Sequence, residues 1–167
     1  FDVQSRVDST LMSNLRIMRR TLINQISKRC DTSKETITGV VHALLNRSIF
    51  IKYLEERKDS NGETVFPQDF YCNFMESAKW YTDVLNSKEA TYNLFLTLKD
   101  KFNGDTLQVS EIETEIITQD DLDELRTFIL GDSELESRQL TLWPIYSFDI
   151  IPIQLISSIY ELFFHLS

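Results

Sequence analysis

The stretch TSKETITGVVHALLNRSIFIKYLEERK, residues Thr32 to Lys58, decides how the rest of the chain is read. Thr32 is followed three residues later by Glu35, a pairing that satisfies free backbone donors at a helix start. After Gly39 neither Gly nor Pro interrupts the run. A helix of this length spans roughly 37 Å, from about 25 residues at 1.5 Å rise. At about 100° per residue, Val40, Ala43, Leu44, Phe50, Ile51 and Leu54 share one arc, and Leu45, Ile49 and Tyr53 cover much of the remainder. A helix apolar on nearly every side sits at the centre of a bundle, with other helices packed around it. Arg47 falls within the main apolar arc. Its guanidinium cannot lose its proton, so the sequence predicts a buried Arg47 bonded to a carboxylate or to backbone carbonyls.

On the N-terminal side, Val7, Leu11, Leu15, Met18, Leu22 and Ile26 form one helical stripe. Arg16, Arg19 and Arg20 lie together on another face. They make either a solvated face or a set of contacts to DNA phosphates that position a duplex without reading its bases. On the C-terminal side, Lys58 to Gly62 reads as a turn rich in residues that tolerate left-handed backbone. A helix is expected over about 68–86, with Phe70, Phe74, Ala78, Tyr81 and Leu85 on one face and Tyr71, Met75 and Trp80 beside it. These aromatics are read as core rather than as platforms for stacked bases.

Ser87 is placed to cap the next helix, whose stripe is Thr91, Leu94, Phe95, Leu98 and Phe102, with Asn103-Gly104 as its stop. Ser110 with Glu113 repeats the capping pattern. Thr118 then precedes the acidic group Asp120, Asp121, Asp123 and Glu124, which suits the positive end of a helix dipole running to Leu130 before Gly131. That group lacks the spacing of a calcium loop and any His beside it. Residues 132–138 read as a polar loop, and Thr141 to Trp143 as a short strand limited by Pro144. The last segment places Pro152 in a first helical turn, with Leu155, Ile156, Ile159, Leu162, Phe163 and Leu166 as its stripe. Glu161 points away from that stripe.

Two separated blocks carry a resemblance. Ala43-Leu44-Leu45-Asn46-Arg47-Ser48-Ile49-Phe50-Ile51-Lys52-Tyr53-Leu54-Glu55-Glu56-Arg57 resembles a signature upstream of the catalytic domain in large adenine-specific DNA methyltransferases. These include the type IIG restriction-modification enzymes and their relatives. The family pattern is Leu-Leu, a small residue, Arg, two hydrophobics, an aromatic and Leu-Glu-Asp-Arg. About a hundred residues on, Tyr146 to Glu161 is similar to the segment just before that family's first catalytic motif. Val7 to Leu22 and Leu98 to Leu107 give weaker echoes in the family's order. The resemblance implies structural roles for Arg47, Tyr53, Arg57, Tyr160 and Glu161. It also implies a helical spacer whose parent uses S-adenosylmethionine, and Mg²⁺ if a nuclease is fused.

The chemistry of that parent is not written in these 167 residues. The four glycines, Gly39, Gly62, Gly104 and Gly131, stand apart, none in the strand-turn-helix setting that cradles S-adenosylmethionine. No two prolines are adjacent, so the Pro-Pro-aromatic tetrapeptide that holds a flipped adenine is missing. Glu111, Glu113 and Glu115 alternate without the lysine a metal-dependent nuclease triplet needs. No Cys/His zinc spacing, phosphate loop or Gly-x-Ser-x-Gly elbow occurs. His42 and His165 read as packing residues. Catalytic, cofactor-binding and metal-binding residues are therefore expected to be none in this stretch.

Composition sets the remaining bounds. A chain of 167 residues, 42% hydrophobic and 26% charged, suits a single domain that buries roughly 70% of its unfolded surface. The net charge of −9 argues against the whole surface gripping DNA, although a local basic patch is compatible with it. Apolar runs are too short for a membrane span, and no secretion signal is visible. Cys30 and Cys72 form no close pair, which fits a reducing cytoplasm. Phe1 and the apolar periodicity reaching Ser167 suggest a fragment whose catalytic domain follows. The expectation is an all-α, irregular bundle of five or six helices around a long central helix, with at most one short strand pair. Its expected partners are an intramolecular catalytic domain and, through the parent enzyme, DNA. The rival reading is a stand-alone acidic helical adaptor that binds another protein.

Overall fold

Helix packing around residues 34–56 organises the chain. The structure, a computed structural model, describes residues 3–56, 61–64, 66–102 and 107–131, with side chains from residue 12 onward. Six α-helices run in order among the described residues: α1 (Val3–Ser27), α2 (Lys34–Glu56), α3 (Tyr81–Val84), α4 (Lys88–Phe102), α5 (Glu111–Ile116) and α6 (Gln119–Leu130). A 3-10 turn, Phe70–Asn73, precedes α3. The fold is all-α.

The central helix, 23 residues and about 34 Å long, is buried on almost every side. Val40, Leu44, Ile51 and Leu54 are buried on one arc and Val41, Leu45 and Ile49 on the others, while Ala43, Phe50 and Tyr53 lie at its margins. Neighbours wrap it because no single partner covers so wide an apolar surface. α1 supplies Leu15, Met18, Leu22 and Ile26, each with 0–1% of its surface exposed. α1 also packs on α6, and α3 touches α2, α4 and α6.

Capping sets the helix starts, with one shift from expectation. Ser33, not Thr32, opens α2: its Oγ accepts the Thr36 amide at 3.2 Å. Ser87 Oγ accepts the Ala90 amide at 3.2 Å to start α4. Ser110 Oγ accepts the Glu113 amide at 3.3 Å to start α5. At α6 the Thr118 and Asp121 pair closes a full capping box, and Gly131, with φ 81°, ends the helix in the left-handed conformation that glycine adopts without penalty.

The continuous helix expected over 68–86 does not form. Asp69 (φ 61°) and Ser77 (φ 68°) break it into the 3-10 turn and the short α3. The cause is visible at Asp83, whose Oδ2 accepts the amides of Lys79 at 2.9 Å and Trp80 at 3.1 Å. A carboxylate that collects two free donors makes a helix start there, not a helix interior. Upstream, Phe66 and Phe70 stack at 4.6 Å, with Tyr71 and Phe74 edge-on or tilted around them. No described helix is long and apolar enough to cross a membrane. The expected stop at Asn103-Gly104, the strand at 141–143 and the helix beginning near Pro152 lie outside the described residues.

Candidate functional site

Two groups of charged residues stand out, one sealed in the core and one open at the surface. The first surrounds Arg47. Its side chain is 0% exposed, and the facing carboxylate of Glu113 is 1% exposed. Arg47 Nη2 donates to Glu113 Oε2, and Nη1 donates to the Gln108 carbonyl at 2.7 Å. The guanidinium carbon also lies 4.5 Å from the Phe95 ring centroid, a cation–π contact. Tyr92 completes the set, its hydroxyl donating to the same Glu113 oxygen at 2.6 Å. Arg47 is thus buried and bonded as its place on α2 requires.

This cluster joins α2, α4, α5 and the segment before α5. Glu113 was legible only as the third residue of a capping pattern. Its side chain does not turn back to Ser110 but reaches across to Arg47. Burial raises the Glu113 carboxyl above its ordinary value, with Arg47 and Tyr92 pulling the other way. Burial and the Glu113 charge raise the Tyr92 hydroxyl as well. With so little of Arg47 and Glu113 exposed, the pair ties α2 to α5 inside the core. It is a structural centre.

A second pairing, not foreseen, fixes α1 to α6. Asp121, fully buried, accepts from Arg29 Nη1 at 2.9 Å and from Gln25 Nε2 at 2.8 Å, while also capping Thr118 N at 2.8 Å. Arg29 Nη2 reaches the Ile116 carbonyl at 2.9 Å. Part of the acidic group at the start of α6 therefore serves an ion pair as well as the dipole. Lys52 bonds Glu55, whose other oxygen accepts the Tyr81 amide at 2.7 Å.

The open group lies between α1 and α2. Arg16, Arg19 and Arg20 line one groove of about 390 Å³, and α2 adds Lys34 and Thr38. Arg16 and Arg20 are exposed and Arg19 half-buried. The structure therefore brings the three candidate phosphate contacts together and adds a fourth cation. Lys34 carried a signal in the sequence: it is the first residue of a helix, where the dipole disfavours positive charge.

Of the other signature residues, Tyr53 is half-buried on α2, away from this groove. Arg57, Tyr160 and Glu161 lie outside the described residues, as does His165. His42 is buried in α2. Cys30 is half-buried and Cys72 exposed, its Sγ donating to the Ala78 carbonyl at 3.5 Å. Another hollow, about 340 Å³, is walled by Phe66, Phe70, Tyr71, Trp80 and Glu55. The rings of Phe66, Phe70 and Tyr71 are buried against one another, and Trp80, 57% exposed, lies at the edge. No known protein family matches this sequence, and no curated protein or solved structure matches it either.

Proposed function

We propose that this chain is the helical connector region upstream of the catalytic domain in a cytoplasmic, adenine-specific DNA methyltransferase of the restriction-modification type. In this reading it holds the catalytic domain at a fixed distance from neighbouring parts and from DNA. S-adenosylmethionine, Mg²⁺ where a nuclease is fused, and the reacting base belong to the parent enzyme.

The observation that supports the reading most is the fate of the signature's arginine. Arg47 lies at the crossing of α2, α4 and α5 in an ion pair that no solvent reaches. A signature built on such a residue marks a rigid support, and rigidity is what a spacer between working domains contributes. The test is to read the native gene beyond Ser167 and assay its full product. A glycine-rich strand-turn should follow within about fifty residues, then an Asn/Asp-Pro-Pro-aromatic motif. The purified product should transfer the methyl group of S-adenosylmethionine to adenine in duplex DNA. A stop codon near Ser167, or a full product without methyl transfer to DNA, overturns the proposal.

The adaptor reading draws on a different observation: Trp80, Leu96 and Leu130 are 43–57% exposed. Singly exposed apolar residues are ordinary on globular surfaces, and these three sit on separate elements. The connector reading is therefore preferred.

A further inference from the structure

Charge is unevenly shared along this chain. Residues 9–30 contain Arg16, Arg19, Arg20, Lys28 and Arg29 and no Asp or Glu, in a protein whose net charge is −9. Arg29 is taken up by Asp121. Arg16, Arg19 and Lys34 make no side-chain hydrogen bond or ion pair among the described residues, although the chain has 26 carboxylates to offer. The folded protein thus assembles cations in one groove and leaves Arg16, Arg19 and Lys34 there without protein anions.

That arrangement is unfavourable on its own. Arg16 and Arg19 are like charges at i and i+3, neighbouring positions on a helix surface where like charges repel. Lys34 sits at the positive end of α2 and faces the same groove. An anion in the groove relieves both repulsions at once. Its shape indicates which anion. Arg16, Arg20 and Asn24 are exposed at i+4 intervals on α1 and Lys28 continues the line just past its end, a ridge of about 18 Å. A ridge of that length suits an extended polyanion such as a nucleic-acid backbone better than a single small anion. The groove's lining is polar apart from Ile23, which is 9% exposed, so nothing there can enter a lipid bilayer.

We infer that the groove between α1 and α2 seats the phosphate backbone of duplex DNA, with Arg16, Arg19 and Lys34 as ion-pairing contacts and Asn24 and Thr38 as hydrogen-bonding ones. Choosing DNA among polyanions rests on the proposed function; the groove itself does not. Contacts of this kind fix register and orientation and carry no sequence information.

The test uses the full-length native protein and a fluorescent DNA duplex, with affinity measured by anisotropy between 50 and 200 mM salt. The variant is Arg16→Gln/Arg19→Gln/Lys34→Gln, and Lys79→Gln, outside the groove, is the control. Each phosphate contact contributes about 0.9 to the slope of log affinity against log salt, so three contacts contribute about 2.7. The natural protein should therefore lose about 40-fold more affinity across that range than the triple variant, whose melting temperature should be no lower than the natural protein's. The control should match the natural protein. An unchanged slope in the triple variant overturns the inference, as does a natural protein that binds polyglutamate or phosphatidylserine vesicles but not the duplex. Methyl transfer measured on the same protein separates the two claims. Transfer with an unchanged slope removes the groove alone, and a flattened slope without transfer removes the methyltransferase reading alone.

Discussion

Replacing Arg47 with Met examines the centre of the fold with little change in volume. The substitution removes the ion pair to Glu113, the bond to the Gln108 carbonyl and the contact with Phe95. It leaves a carboxylate that is 1% exposed, held by the Tyr92 hydroxyl alone. Breaking a buried pair by deleting one partner costs about 3–5 kcal/mol, a large share of the 5–15 kcal/mol typical of a domain. Urea denaturation followed by circular dichroism should show a loss of that size at neutral pH. Adding Glu113→Gln to the Arg47→Met chain removes the stranded charge and should restore at least about 2 kcal/mol, a coupling that a double-mutant cycle isolates. The pH dependence has a definite sign. Without Arg47 the Glu113 carboxyl rises further, so the folded state takes up a proton that the unfolded state does not hold. The loss should therefore shrink as pH falls toward 4.5, the ordinary value of this carboxyl. A loss under about 1 kcal/mol at every pH would refute the reasoning, because it would mean Arg47 reaches water.

In the natural chain, burial already lifts Glu113, so its contribution to stability is lost as pH rises through the folded value. The stability of the natural chain minus that of Glu113→Gln should accordingly narrow between pH 4.5 and 8; a gap that widens would show that Arg47 outweighs burial. Asp121→Asn weakens the Arg29 pair and the α6 cap together and should cost about 2–4 kcal/mol in denaturant titration. Arg29→Ala should cost less, since Asp121 keeps Gln25 and Thr118 N, and the reverse order would contradict the described geometry. Ser33→Ala should lower stability by about 1 kcal/mol while Thr32→Ala changes it by less than about 0.5 kcal/mol, and the opposite ranking would move the α2 cap back by one residue.

Periodicity and capping chemistry are local properties, and they were sufficient to read the all-α class, the stripe on α1, the burial of α2 on nearly every side, and the starts of α4, α5 and α6. The burial of Arg47 was also legible, because a guanidinium on an apolar arc has few places to go. What Arg47 would pair with was not. Glu113 lies 66 residues away, and its capping position suggested a bond to its own helix end. Likewise Asp121 and Arg29 are 92 residues apart, and nothing in either neighbourhood announces the other. The break between Asp69 and Trp80 depended on Asp83 and on the aromatic cluster winning over helical continuity. Lys34 joined the three arginines only because α1 and α2 pack side by side. Sequence spacing determines which residues share a face of one helix. Which two faces meet depends on how all the buried surfaces are satisfied together, and that is decided only when the helices pack.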